Sequence, residues 1–123
     1  MKKKFKTTQS ISLFVPIIYL LGIWKKEFQE LPPNQSFQLT IDYPLSKPAV
    51  YKINTGKKGM GLSRLLKTIG KKYQQTYDRE DATTKDKEEG GCYGIYGHAM
   101  SDLAIEGIQV NYKKKTIKLD VGS

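Results

Sequence analysis

The chain has one cysteine, Cys92, one histidine, His98, and one tryptophan, Trp24, in 123 residues. A single cysteine excludes an intrachain disulfide, and one Cys with one His cannot assemble a four-ligand zinc site of the usual Cys/His kind. The sequence therefore assigns no metal and no cofactor. Acidic residues are also scarce: 12 Asp and Glu stand against 21 Lys and Arg, a formal charge of +9. Between residues 43 and 77 there are eight Lys or Arg and no Asp or Glu at all. Uncompensated positive charge of this kind attracts phosphates, acidic proteins and anionic membrane surfaces. The length suits one domain with a single modest core, and no internal repeat or heptad pattern is present.

At the N-terminus Lys2, Lys3, Lys4 and Lys6 precede an uncharged run over residues 7–24. A basic flank followed by an apolar stretch is the outline of a secretory signal. As a helix, Ile11 to Trp24 reaches ~21 Å against ~30 Å of hydrocarbon, and the whole run reaches ~27 Å, the lower limit for a span. No small-x-small cleavage site follows it. Two readings result: a signal- or anchor-like segment that places the protein at a membrane or outside the cell, or a buried helix or strand of a soluble fold. The compartment stays open between membrane-associated or exported and cytoplasmic. Leu31-Pro32-Pro33 breaks the chain, so the boundary falls there, with residues 1–30 as a hydrophobic N-terminal segment and 31–123 as one domain.

Within that domain Phe37, Leu39, Ile41 and Tyr43 alternate with polar residues and predict a strand. Ala49 to Thr55 alternates through Tyr51 and Ile53, predicting a hairpin with a five-residue loop. From Met60 to Tyr77 the residues Leu62, Leu65, Leu66, Ile69, Tyr73 and Tyr77 fall on one side of a helix, opposite Arg64, Lys67 and Lys71. Residues 78–91 are nearly devoid of apolar side chains and read as a mobile charged loop. Tyr93 to Tyr96 reads as a short strand. Leu103 to Tyr112 and Thr116 to Val121 predict a final hairpin, with Gly107 at a bulge. The fold class is α+β: a small antiparallel sheet of about four strands, in ββαββ order, packed on one amphipathic helix. One helix covers one sheet face, so the other must be polar or meet a partner, and the N-terminal segment is a candidate cover.

The segment Gly56-Lys57-Lys58-Gly59-Met60-Gly61-Leu62-Ser63 lies between strand and helix. Gly56 and Gly61 have the spacing of a Walker A loop, but Leu62 stands where that motif needs Lys. Gly59 and Gly61 are followed by Arg64 where a dinucleotide fingerprint needs Gly or Ala. What survives is an anion site: backbone N–H groups at a helix N-terminus, flanked by lysines. The candidate set is Gly56, Lys57, Lys58, Gly59, Gly61, Arg64, Lys67 and Lys71. The same turn also has a purely structural reading, in which glycine supplies positive φ.

Cys92, His98 and Asp102 form the candidate catalytic group, Cys92 as nucleophile and His98 as base. If residues 97–106 were helical, His98, Asp102 and Glu106 would stack on one face, where they could hold a metal or orient His98. Ordinary turn chemistry competes with both ideas. Eight tyrosines invite a base-stacking role, yet no ribonucleoprotein, KH or double-stranded-RNA consensus is present, and tyrosine is a common sheet residue. The leading expectation is a small non-enzymatic binding module whose basic face meets an anionic partner, nucleic acid being one candidate and an acidic protein or membrane surface the others. The alternative is a membrane-tethered or exported domain held through residues 7–24. Third comes a small hydrolase or metal-dependent enzyme around Cys92 and His98. Oligomeric state is not legible.

Overall fold

Period-two alternation builds the sheet. A computed structural model describes residues 7–20, 27–84, 91–95 and 98–123. Its strands are β1 (Thr8–Pro16), β2 (Ser36–Ile41), β3 (Ala49–Asn54), β4 (Ala104–Asn111) and β5 (Thr116–Gly122), with one long helix, α1 (Leu62–Thr83), between β3 and β4. Short 3-10 turns occupy Ile17–Tyr19 and Met100–Asp102. The five strands make one sheet in the order β1-β4-β5-β2-β3. Three of the four pairings are antiparallel; β2 and β5 run parallel, with Leu39 opposite Ile117. The architecture is α+β with a mostly antiparallel sheet in βββαββ order, one strand more than the sequence pattern predicts.

The additional strand lies in the N-terminal segment. Thr8–Pro16 is not a helix: it is extended and alternates exposed and buried residues throughout, with Gln9, Ile11, Leu13 and Val15 turned inward. It pairs with β4 at the edge of the sheet and does not cover a face. Phe28 and Leu31 are buried in the same core as Ile11, Val15 and Leu65. The boundary expected at residue 31 thus runs through a single core. Gln9 binds the two halves of this region together, its side-chain amide donating to Glu27 O and accepting from Gln29 N at 2.8 Å. No helix among the described residues is long and apolar enough to cross a membrane. The basic flank at residues 2–6 and the end of the apolar run, 21–24, lie outside the described residues.

The inner sheet face presents Phe37, Leu39, Ile41, Ile105, Val110 and Ile117, each fully enclosed. Against it α1 lays Leu62, Leu65, Leu66, Ile69 and Tyr73, the stripe that the 3.6-residue spacing predicts. Burying a side chain of this size stabilises by about 1.5–3 kcal/mol, so this interface carries much of the fold. The outward face is largely polar, with Ser10, Ser12, Gln38, Gln109, Lys118 and Asp120 exposed, although Phe14 and Val50 are exposed on it as well. The hairpin β4–β5 has the expected bulge: Ile105 faces Val121 and Gly107 faces Asp120, leaving Glu106 as the extra residue.

Two expected segments differ. The helix does not stop at Tyr77 but continues to Thr83, so the first residues of the expected mobile loop are helical. Residues 85–90 of that loop lie outside the described residues. The expected strand at Tyr93–Tyr96 reduces to one isolated bridge between Ile95 and Leu45, with Tyr96 outside the described residues.

Candidate anion-binding site

The glycine-rich turn takes its shape from the Pro-Pro segment before it. Leu31 and Met60 exchange two backbone hydrogen bonds, Leu31 N–H to Met60 O at 2.8 Å and Met60 N–H to Leu31 O at 3.0 Å. Gly59 lies inside this clasp at φ +78°, and a Cβ there would stand 2.5 Å from Leu31 O. Gly56 is also left-handed, at φ +77°. Positive φ and close backbone approach are what glycine permits, so both residues are set by the turn itself. Buried Thr55 fastens the base of the turn, its hydroxyl donating to Pro32 O at 2.7 Å and accepting from Gln35 N–H at 3.0 Å.

The expected site residues divide into two groups. Lys57 and Lys58 are exposed at the tip of the turn. Gly61 caps α1 without a side-chain hydrogen bond, and the carboxylate of Glu30 lies over it, 3.5 Å from where a Cβ would stand. An internal anion therefore already sits beside the helix N-terminus, where the macrodipole favours negative charge. Arg64 folds back over the turn and donates from Nη1 to Gly59 O at 3.3 Å. Lys67 and Lys71, one turn apart on α1, project into a cleft between the helix and β3.

That cleft has a volume of about 350 Å³ and is lined by Lys52 of β3 and by Arg64, Lys67, Lys71 and Lys72 of α1, together with Ile53, Asn54, Met60 and Thr68. Its lining contains five cations and no Asp or Glu. Lys52 and Lys72 were absent from the sequence-derived set. Lys52 alternates outward on an edge strand, and Lys72 is adjacent to Lys71 yet turned toward β3, a placement that only the packing of helix on sheet determines. Lys72 is held there: its Nζ lies 5.2 Å from the centre of the Tyr51 ring. The Tyr51 hydroxyl meets Thr76 Oγ1 at 2.5 Å, and because Thr76 donates to Lys72 O at 2.7 Å, Tyr51 is the donor in that contact.

The opposite end of α1 holds a group that sequence reasoning missed. Glu80 is 5% exposed, and its two carboxylate oxygens accept four backbone N–H groups. Tyr93 at 2.9 Å and Gly94 at 3.2 Å donate to Oε1; Gly91 at 2.9 Å and Ile95 at 2.8 Å donate to Oε2. Burial alone would raise this carboxyl, but the donors of Gly91, Ile95, Tyr93 and Gly94 outweigh it and hold the group below its ordinary value of 4.5. The wrapped segment in turn receives the β2–β3 loop, Ser46 N–H and Lys47 N–H donating to Tyr93 O at 3.0 and 3.1 Å. The cluster of glycines at 90–94 was its one trace in the sequence.

Exposed Cys92 is tethered through its N–H to Thr83 Oγ1 at 2.9 Å, whereas the His98 ring faces Tyr43, with Nε2 3.4 Å from the Tyr43 hydroxyl. Residues 100–102 form a 3-10 turn and β4 begins at 104, so the helical face that would stack His98, Asp102 and Glu106 does not exist. Among the described residues no three His, Cys, Asp or Glu side chains are placed to hold a metal. Of the tyrosines, Tyr73 and Tyr112 are buried, and Tyr43, Tyr51, Tyr77 and Tyr93 are half-buried. Burial first, then Asp102, Tyr43 and Glu80, push the Tyr77 phenol up to about 12, and its hydroxyl donates to His98 O at 2.9 Å. No protein-family model, curated protein or solved structure matches the chain.

Proposed function

We propose that this protein is a small non-enzymatic binding module that takes an anionic partner in the cleft between β3 and α1. The observation that carries this reading is the lining of that cleft, where Lys52, Arg64, Lys67, Lys71 and Lys72 converge without an acidic residue. Like charges gathered on one concave surface repel one another, and a polyanion relieves that repulsion while releasing its own counterions. Exposed Glu30, beside the helix N-terminus, and buried Glu80, near its C-terminus, are not part of this lining. Lys57 and Lys58 extend the positive field past Arg64 at the tip of the turn.

The test is association with three polyanions, a single-stranded oligonucleotide, polyglutamate and phosphatidylserine vesicles, measured between 50 and 300 mM salt (about tenfold steps in affinity are the scale to resolve). Binding to at least one should weaken linearly on a log–log plot. In the double variant Lys67→Glu, Lys71→Glu it should fall at least about tenfold and the salt slope should flatten. Failure of all three to bind the wild-type protein at the lowest salt overturns the reading.

A further inference from the structure

We infer that the partner is an extended acidic polypeptide that adds to the sheet as a sixth strand alongside β3, an inference that rests on the reading of the cleft just given. β3 ends the sheet order, with β2 on one side and no described strand on the other. Thr55 N–H donates to Gln35 O at 2.9 Å, just past the strand ends, which sets the phase of the ladder. Counting back by two, Ile53, Tyr51 and Ala49 turn their backbone groups toward Phe37, Leu39 and Ile41 of β2. The N–H and C=O groups of Val50, Lys52 and Asn54 then point to the open edge. They form a row of donors and acceptors repeating about every 6.8 Å, the repeat of an added strand.

Side chains of such a strand alternate between the two faces of the sheet. On the helix side they enter the cleft of Arg64, Lys67, Lys71 and Lys72. On the other face a second cavity, about 490 Å³, is lined by Ser36, Gln38, Val50, Lys52, Lys114 and Lys115 among others, and Lys52 borders both. Carboxylates at every second position therefore meet four cations, while the residues between them meet Val50, which is 55% exposed, and the lysines beyond it. Nucleic acid would satisfy the charge but does not present peptide N–H and C=O groups at strand spacing to the edge. The same lysines repel the β3 edge of a second copy, a common protection of exposed edges, so the edge favours an acidic strand over its own kind.

The probe is a fluorescein-labelled decapeptide of alternating Glu and Val, titrated with the full chain at low salt. Two further versions are N-methylated, one on every Glu and one on every Val. A paired strand turns only one of these sets of N–H groups to β3, so one methylated peptide should bind at least about tenfold more weakly and the other close to the parent. Equal binding by both, or equal loss in both, overturns strand addition. The protein-side variant is Val50→Pro, which removes an open-edge donor without removing a bond to β2. It should weaken the peptide at least about tenfold while leaving oligonucleotide binding at the wild-type level; unchanged peptide binding counts against the inference. If the oligonucleotide binds and the parent peptide does not, strand addition fails and the anionic-partner reading stands. If no polyanion binds, both fail together.

Discussion

The C-terminal turns of α1 and the cleft along its first half handle charge in opposite ways. Near its C-terminus the chain supplies its own anion: Glu80 is buried and every visible demand of its carboxylate is met by four backbone N–H groups from residues 91–95. Along the first half of the helix the chain supplies cations instead, five of them around one cleft with no acidic residue in the lining. The first arrangement is closed and structural. The second is open, and no acidic side chain lines it. On the reading proposed above, a charged cluster points to a partner only where its own lining holds no counter-charge, as in the cleft and not at Glu80.

The largest effect expected from this contrast lies at Glu80. Glu80→Ala leaves four N–H groups without their acceptor and should destabilise the protein by about 3 kcal/mol or more in urea denaturation. A change below about 1 kcal/mol would make the loop an accessory and break the contrast. The pH dependence follows in sign: the folded carboxyl lies below its ordinary 4.5, so its contribution is fully present above that value and is lost as pH falls through the lower, folded one. The stability gap between wild type and Glu80→Gln should therefore be constant near neutrality and shrink below pH 4.5. A gap that does not close in acid would assign the effect to shape rather than charge.

At the other end the backbone matters more than the lysines. Gly59→Ala combines positive φ with a backbone oxygen 2.5 Å from the new Cβ and should cost about 2–3 kcal/mol. Gly56→Ala meets nothing nearer than the Arg64 guanidinium at 3.8 Å and should cost only about 1 kcal/mol, the penalty of the left-handed backbone alone. Equal costs would show that the turn relaxes around Leu31. Smallest of all, Lys67→Glu with Lys71→Glu should leave stability within about 0.5 kcal/mol of wild type, because both side chains are exposed. A loss above about 1 kcal/mol would turn the cleft into a structural feature like its counterpart at Glu80.

Much of the fold is written in periodicity. Phe37, Leu39 and Ile41, the stripe from Leu62 to Tyr73, and Ile117 are all buried where their spacing places them. β1 was harder to see because Phe14, an apolar residue facing out at 73% exposure, breaks the polar–apolar alternation of its sequence, so strand and apolar run look alike. Glu80 was hidden for a different reason. A carboxylate satisfied by backbone N–H groups needs no particular partner side chain, and in a charged stretch it is indistinguishable from its solvated neighbours Asp78 and Asp81. For the candidate site, Arg64, Lys67 and Lys71 were legible as one helix face. Lys52 and Lys72 join them only through the angle at which α1 crosses β3, which one-dimensional spacing does not contain.

The parallel seam between β2 and β5 is the kind of long-range pairing that topology makes slow to form. It joins Leu39 to Ile117, about 80 residues apart, and among the described residues is the sole strand pairing that connects the β2–β3 hairpin to the β4–β5 hairpin. Each hairpin is a local structure that forms on its own timescale, whereas the seam needs the intervening helix and loops to bring distant segments into register. β1 needs a closure longer still, since Thr8 pairs with Asn111 of β4. Until the three-residue ladder of Gln38 to Thr40 against Thr116 to Lys118 closes, the two hairpins are not joined into one sheet, and loop-closure entropy makes such long-range pairings slow to form.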